Sequence, residues 1–103
     1  MKTIFVDIDG TICTKEKDYS KAQPIQANID IFNRLYKKGN KIIYWTARGS
    51  TTGIDWREVT VAQFQDWGVL YSELKFGKPD YDYWIDDKAI NIRQLRRVYK
   101  GGK

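Results

Sequence analysis

Apolar and polar positions alternate along this chain in two rhythms. Thr3–Ile8 (TIFVDI) is a short β-branched run, and it predicts a strand buried on both faces. Ile25, Ile29, Phe32 and Tyr36 recur at helical spacing, Ile31 and Leu35 widen that face, and Gly39 ends the helix. Lys41–Thr46 (KIIYWT) predicts a second strand. A polar loop, Ala47–Asp55, leads to a helix over Trp56–Trp67 with Asp55 as N-cap and Gly68 as its stop. Val69–Leu74 predicts a short strand, Gly77-Lys78-Pro79 punctuates, and Tyr81–Ile85 predicts another strand. Ala89–Tyr99 predicts a last helix whose inner face uses Ile92, Leu95 and Tyr99.

Strands alternating with helices imply a parallel sheet covered on both faces. The expected fold is α/β: a Rossmann-like three-layer sandwich with a mostly parallel sheet, in one domain over residues 1–103. Such sheets bind ligands beyond the carboxyl ends of their strands. Asp7 and Asp9 end the first strand, Thr46 ends the second, and Asp86-Asp87 end the fourth. All three polar clusters are therefore expected at one edge.

Composition narrows the chemistry. Histidine is absent, which excludes Ser-His-Asp and Cys-His catalysis, and Cys13 is the single cysteine, which excludes an internal disulfide. The four Trp and seven Tyr are read mainly as core, because large flat side chains help a short chain bury surface. No apolar run approaches membrane-spanning length, and Asp7 interrupts the N-terminus too early for a signal-peptide core. No membrane association and a cytoplasmic location are expected. The net charge of +5 is concentrated in residues 93–103, where Arg93, Arg96, Arg97, Lys100 and Lys103 have no acidic neighbour. A basic helix end complements the macrodipole, and the same charge can recruit a polyanion.

Four carboxylates at one apolar sheet edge repel one another, and a hard divalent cation such as Mg²⁺ resolves the repulsion. The bland alternatives are local: Asp87 as an N-cap and Asp9 in an Asx-turn. A calcium loop is excluded, since the required Gly position holds Ile12 and the twelfth position holds Asp18.

DIDGT, the strand-end Thr of IIYWTAR, the Lys of FGKP and the Asp pair of WIDD, in that order, resemble the haloacid dehalogenase superfamily. The resemblance spans Asp7 to Asp87 and implies a Mg²⁺-dependent phosphatase working through a phosphoaspartate. It implies that Asp7 is the nucleophile and Asp9 the acid that protonates the leaving alcohol and then activates water. Metal would be held by the Asp7 carboxylate, the Asp9 carbonyl and Asp86, with Asp87 as a further or outer ligand. Thr46 would hold a phosphoryl oxygen and Lys78 would offset charge on Asp7. Gly10 and Thr11, in the turn after the acid pair, and Ala47 would line the substrate site.

Neither Ile12–Pro24 nor Ala47–Lys78 leaves room for a folded cap, so the site is expected to be open. It would take a large substrate, or a small one closed in by a partner subunit of a homo-oligomer. Arg48 at the strand end suits phosphate recognition, and Trp56 with the hydroxyls of Gly49–Asp55 offers a sugar-like or nucleotide-like surface. The whole pattern is similar to small bacterial members of the superfamily associated with capsule and surface-polysaccharide synthesis, which implies a sugar phosphate. The alternatives are a nucleic-acid 3′-end phosphatase and a catalytically silent metal-binding domain.

Overall fold

Three parallel strands in the order β1-β2-β3 carry the architecture: β1 (Thr3–Val6), β2 (Lys41–Trp45) and β3 (Glu73–Lys75). The computed structural model describes residues 1–102, with side chains through residue 98. Helix α1 (Gln26–Lys37) links β1 to β2, α2 (Arg57–Trp67) links β2 to β3, and α3 (Ile92–Gly102) closes the chain. The fold is a small Rossmann-like α/β fold, as the alternation of elements implied.

Register places Val6 beside Tyr44 and Tyr44 beside Leu74, so one sheet face presents Ile4, Val6, Ile42, Tyr44 and Leu74. Both connecting helices pack there. The Tyr44 ring meets Phe32 of α1 at 6.4 Å and Phe64 of α2 at 5.1 Å, each edge-on. Ile29 and Phe32 of α1 join this core from one turn to the next, each fully buried apolar side chain contributing roughly 1.5–3 kcal/mol. Gly68 ends α2 in the left-handed region at φ 69°, where only glycine is unstrained.

The opposite face carries Phe5, Ile43 and Trp45. Ile43 is buried and Trp45 meets Trp84 edge-on, but Phe5 is 54% exposed. The expectation that the first strand is buried on both faces therefore fails at Phe5. The reason is position: β1 is an edge strand, and among the described residues it pairs only with β2.

Two boundaries differ from expectation. Residues 69–72 form the exit from α2, with Val69 in the core and Leu70 N–H donating to Asn33 Oδ1, so the third strand begins only at Glu73. The last helix starts at Ile92 because Asn91 caps it, its side chain accepting from Arg93 N–H at 2.9 Å. Ile92 and Leu95 pack on the core as expected, while the side chains of Tyr99, Lys100 and Lys103 lie outside the described residues.

Tyr81–Ile85 is not a strand. It is irregular, with Tyr83 86% and Ile85 95% exposed. A strand exists only against a neighbour, and no strand among the described residues pairs with this segment. No helix among the described residues is long and apolar enough to cross a membrane.

Candidate functional site

The site is built where β1 and β2 end. Asp7 follows β1 directly, and the chain then turns through Gly10 at φ 85°. Gly10 N–H donates to the Cys13 carbonyl at 2.8 Å, and the N–H groups of Thr11 and Ile12 both donate to the Ile8 carbonyl. Asn28 of α1 donates its amide to the Thr11 carbonyl at 2.7 Å, tying the turn to the core. Ile8 and Ile12 are completely buried, so the turn is anchored on both sides of Asp9.

Thr46, 1% exposed, sits one residue past β2. Its N–H donates to the Lys75 carbonyl and its own carbonyl accepts from Lys78 N–H at 3.1 Å. The ladder between β2 and β3 thus runs on into the Lys78 turn. Ser50 Oγ donates to the Lys78 carbonyl at 2.7 Å and pins that turn from the Gly49–Asp55 loop. The Lys78 ammonium is brought 3.5 Å from Asp7 Oδ1 and lies near the rings of Tyr81 and Trp84, at 5.3 and 5.5 Å.

Asp9 is held differently. Arg48 grips it with a two-pronged fork, Nε to Oδ2 at 3.0 Å and Nη2 to Oδ1 at 2.9 Å. Arg48 Nη1 donates to Thr60 Oγ1 and Gln63 Oε1 on α2, and the guanidinium lies 5.0 Å from the Tyr19 ring. Both oxygens of Asp9 accept N–H donors in this arrangement, which is the arrangement of a carboxylate.

Burial pushes the Asp7 carboxyl above its ordinary value, and the nearby Lys78 ammonium opposes that rise without cancelling it. The Cys13 thiol, buried beneath Asp9, is pushed up to about 12 by burial first and the Asp9 charge second. It is a packing group, not a nucleophile.

Asp7, Asp9, Thr46, Ala47, Arg48 and Lys78 all border one cleft of about 510 Å³, whose far wall is Lys15–Lys17, Tyr19 and Pro79–Asp82. A cleft of this size takes a small molecule.

Comparison with known proteins adds the fold and nothing finer. Over its full length the chain is similar to the crystal structure of a structural-genomics target from Vibrio cholerae, with a TM-score of 0.78 and 24% identity, covering all of both chains. No family model matches the sequence, and no curated protein does.

Two expectations about the site change. Arg48 is 2% exposed and wholly engaged with Asp9, Thr60 and Gln63, so it orients a carboxylate and does not reach out for a phosphate. Asp86 and Asp87 are exposed and are not part of the cleft wall; the Asp86 carboxylate accepts from Lys88 N–H in a local turn that lowers its pKa. Among the described residues no group of three or more acidic, Cys or His side chains gathers to hold a metal ion. A single chain therefore offers Mg²⁺ the Asp7 carboxylate without the second pair of acids, and its donor set does not fit the ion by itself.

Trp56 packs edge-on against Tyr19 at 5.0 Å, and the Ser50 and Thr51 hydroxyls bind Lys78 and Asp80. That loop thus braces the lysine turn. Thr60 and Gln63 went unrecognised in the sequence. Their one signal is two polar residues three apart on the helix face that also presents Phe64.

Proposed function

We propose that this protein is a phosphomonoesterase in which Asp7 attacks phosphorus and forms an aspartyl phosphate. The observation that supports this most is the pairing of Asp7 with Lys78, 3.5 Å apart at the mouth of the cleft. A carboxylate is a weak nucleophile toward an anion, and a fixed ammonium beside it reduces the repulsion. Thr46, at the end of the adjacent strand, would donate its hydroxyl to a phosphoryl oxygen.

Asp9 manages the proton. As the carboxylate gripped by Arg48 it takes a proton from the water that hydrolyses the aspartyl phosphate. The proton taken from that water is the one Asp9 then donates to the next leaving alkoxide. Arg48 fixes the direction from which both transfers occur.

The cleft volume favours a small phosphorylated metabolite, with a sugar phosphate as the first class to test. A second reading, a nucleic-acid end phosphatase, draws support from Arg93, Arg96 and Arg97, which are exposed at helical spacing on α3.

The test is hydrolysis of a panel of sugar phosphates, nucleotides, 3′-phosphorylated oligonucleotides and an aryl phosphate, with and without Mg²⁺. Asp7→Asn is expected to abolish turnover on every substrate. Asp9→Asn is expected to slow alkyl phosphates by roughly 10²–10⁴-fold and the activated aryl ester much less. Turnover that survives Asp7→Asn removes the nucleophile assignment. Oligonucleotides favoured over small esters, with steep salt dependence, select the second reading.

A further inference from the structure

Among the described residues the chain has an unpaired strand edge and an unpaired strand-like segment. β1 is bonded only on its β2 side among the described residues, and Phe5 beside that free edge is half exposed. Tyr81–Ile85 has the alternating apolar pattern of a strand, yet Tyr83, Ile85 and the following Ile90 stand 86%, 95% and 68% exposed. Open edges invite pairing with another strand, and proteins rarely leave one bare beside a matching segment.

The segment cannot serve its own β1 as a parallel neighbour. Only five residues separate β3 from Tyr81, whereas a parallel crossover takes a dozen or more. The geometry is tighter still, because the main chain of Lys78 is bonded to Thr46 and Ser50 at the carboxyl end of the sheet. From there the amino end of a strand outside β1 lies about 10 Å across and about 13 Å back, a diagonal of roughly 16 Å. The three Cα steps from Lys78 to Tyr81 span at most about 11 Å.

We propose that two copies of this chain exchange this segment: Tyr81–Ile85 of each copy adds to the free edge of β1 in the other, parallel to it. The five residues match the four of β1. Tyr83 and Ile85 would extend one sheet face and Trp84 the other, and both faces of β1 are apolar (Ile4 and Val6, Phe5). Parallel direction matters for chemistry. It puts the partner's Asp86 and the partner's Asp87, which follow the segment, at the carboxyl end of β1 beside Asp7. The second acid pair that one chain lacks at its cleft is then supplied by the other. The contact is isologous, each copy giving and receiving the same strand. The catalytic part of this inference rests on the phosphatase reading; the exchange does not.

Sedimentation and light scattering test the exchange directly. The wild type is expected to be a dimer. Ile85→Lys is expected to be a monomer with an unchanged far-ultraviolet spectrum, since Ile85 is almost fully exposed in the separate chain. A monomeric wild type, or a dimer indifferent to Ile85→Lys, overturns the exchange. Co-expression supplies a second readout, pairing Asp7→Asn with the double variant Asp86→Ala, Asp87→Ala. Each is expected to be inactive alone, and random assortment returns about a quarter of wild-type activity, because half the dimers hold one intact site. An active wild type without that recovery overturns the site shared between copies and leaves the phosphatase standing. A dimer broken by Ile85→Lys whose wild type hydrolyses nothing overturns the phosphatase and leaves the exchange standing.

Discussion

Arg48 carries more of the site than its place in a loop suggests. One buried guanidinium satisfies a carboxylate, a hydroxyl and an amide drawn from two parts of the chain. Removing it leaves Asp9 without a counter-charge and Thr60 and Gln63 without a donor, so Arg48→Met is expected to cost about 3–5 kcal/mol in denaturant unfolding. Arg48→Lys restores the charge without the fork and is expected to recover only part of that loss. Asp7 has the opposite sign. Its folded pKa lies above its unfolded one, so the unfolded chain gives up the proton first. Stability therefore falls as pH rises from near 3.8 through the folded value, and the penalty persists above it. In protein stripped of divalent ions, Asp7→Asn is expected to remove that slope and to melt no lower than wild type at neutral pH. Thermal melts across pH read both effects. These two roles were only partly legible. The acid pair and its place at a strand end can be read from DIDG, but the partner of each acid depends on distances across the fold. Arg48 sits in TARG, which reads equally as a phosphate contact.

At the scale of elements, the loop between β2 and α2 sets where Lys78 stands. Gly49, at φ 81°, has no room for a side chain: a Cβ there would fall 2.1 Å from the Ile54 carbonyl oxygen. Gly49→Ala is expected to destabilise by more than about 1 kcal/mol and to lower turnover, because the displaced loop carries Ser50 away from the Lys78 carbonyl. Chemical denaturation and steady-state kinetics on one preparation check the two effects together. Helix α1 was legible from its helical period, β2 as a short apolar run, and α2 from the Gly68 stop that ends it. The segment at residues 81–85 was legible as a pattern and not as a structure. Alternation tells which side chains share a face, but it carries no information on whether a neighbouring strand lies within reach, or in which chain.

At the scale of the molecule, the parallel sheet with its chemistry at the carboxyl edge followed from the order of elements, and that order also put Asp7, Thr46 and Lys78 around one cleft. Asp86 and Asp87 did not join them, because convergence of loops requires strand neighbours and this sheet stops at β1. The continuation of the β2–β3 ladder into the Lys78 turn has one more consequence. The backbone at residue 78 is held by Thr46 and Ser50 without help from the ammonium. Lys78→Ala should therefore leave the turn in place and open an alkylammonium-shaped gap next to Asp7. Small primary amines added to the solution are expected to occupy it and to restore part of the lost hydrolysis. Potency should follow how well each amine's length replaces the missing arm, and amine-independent residual activity would show that the charge beside Asp7 is dispensable.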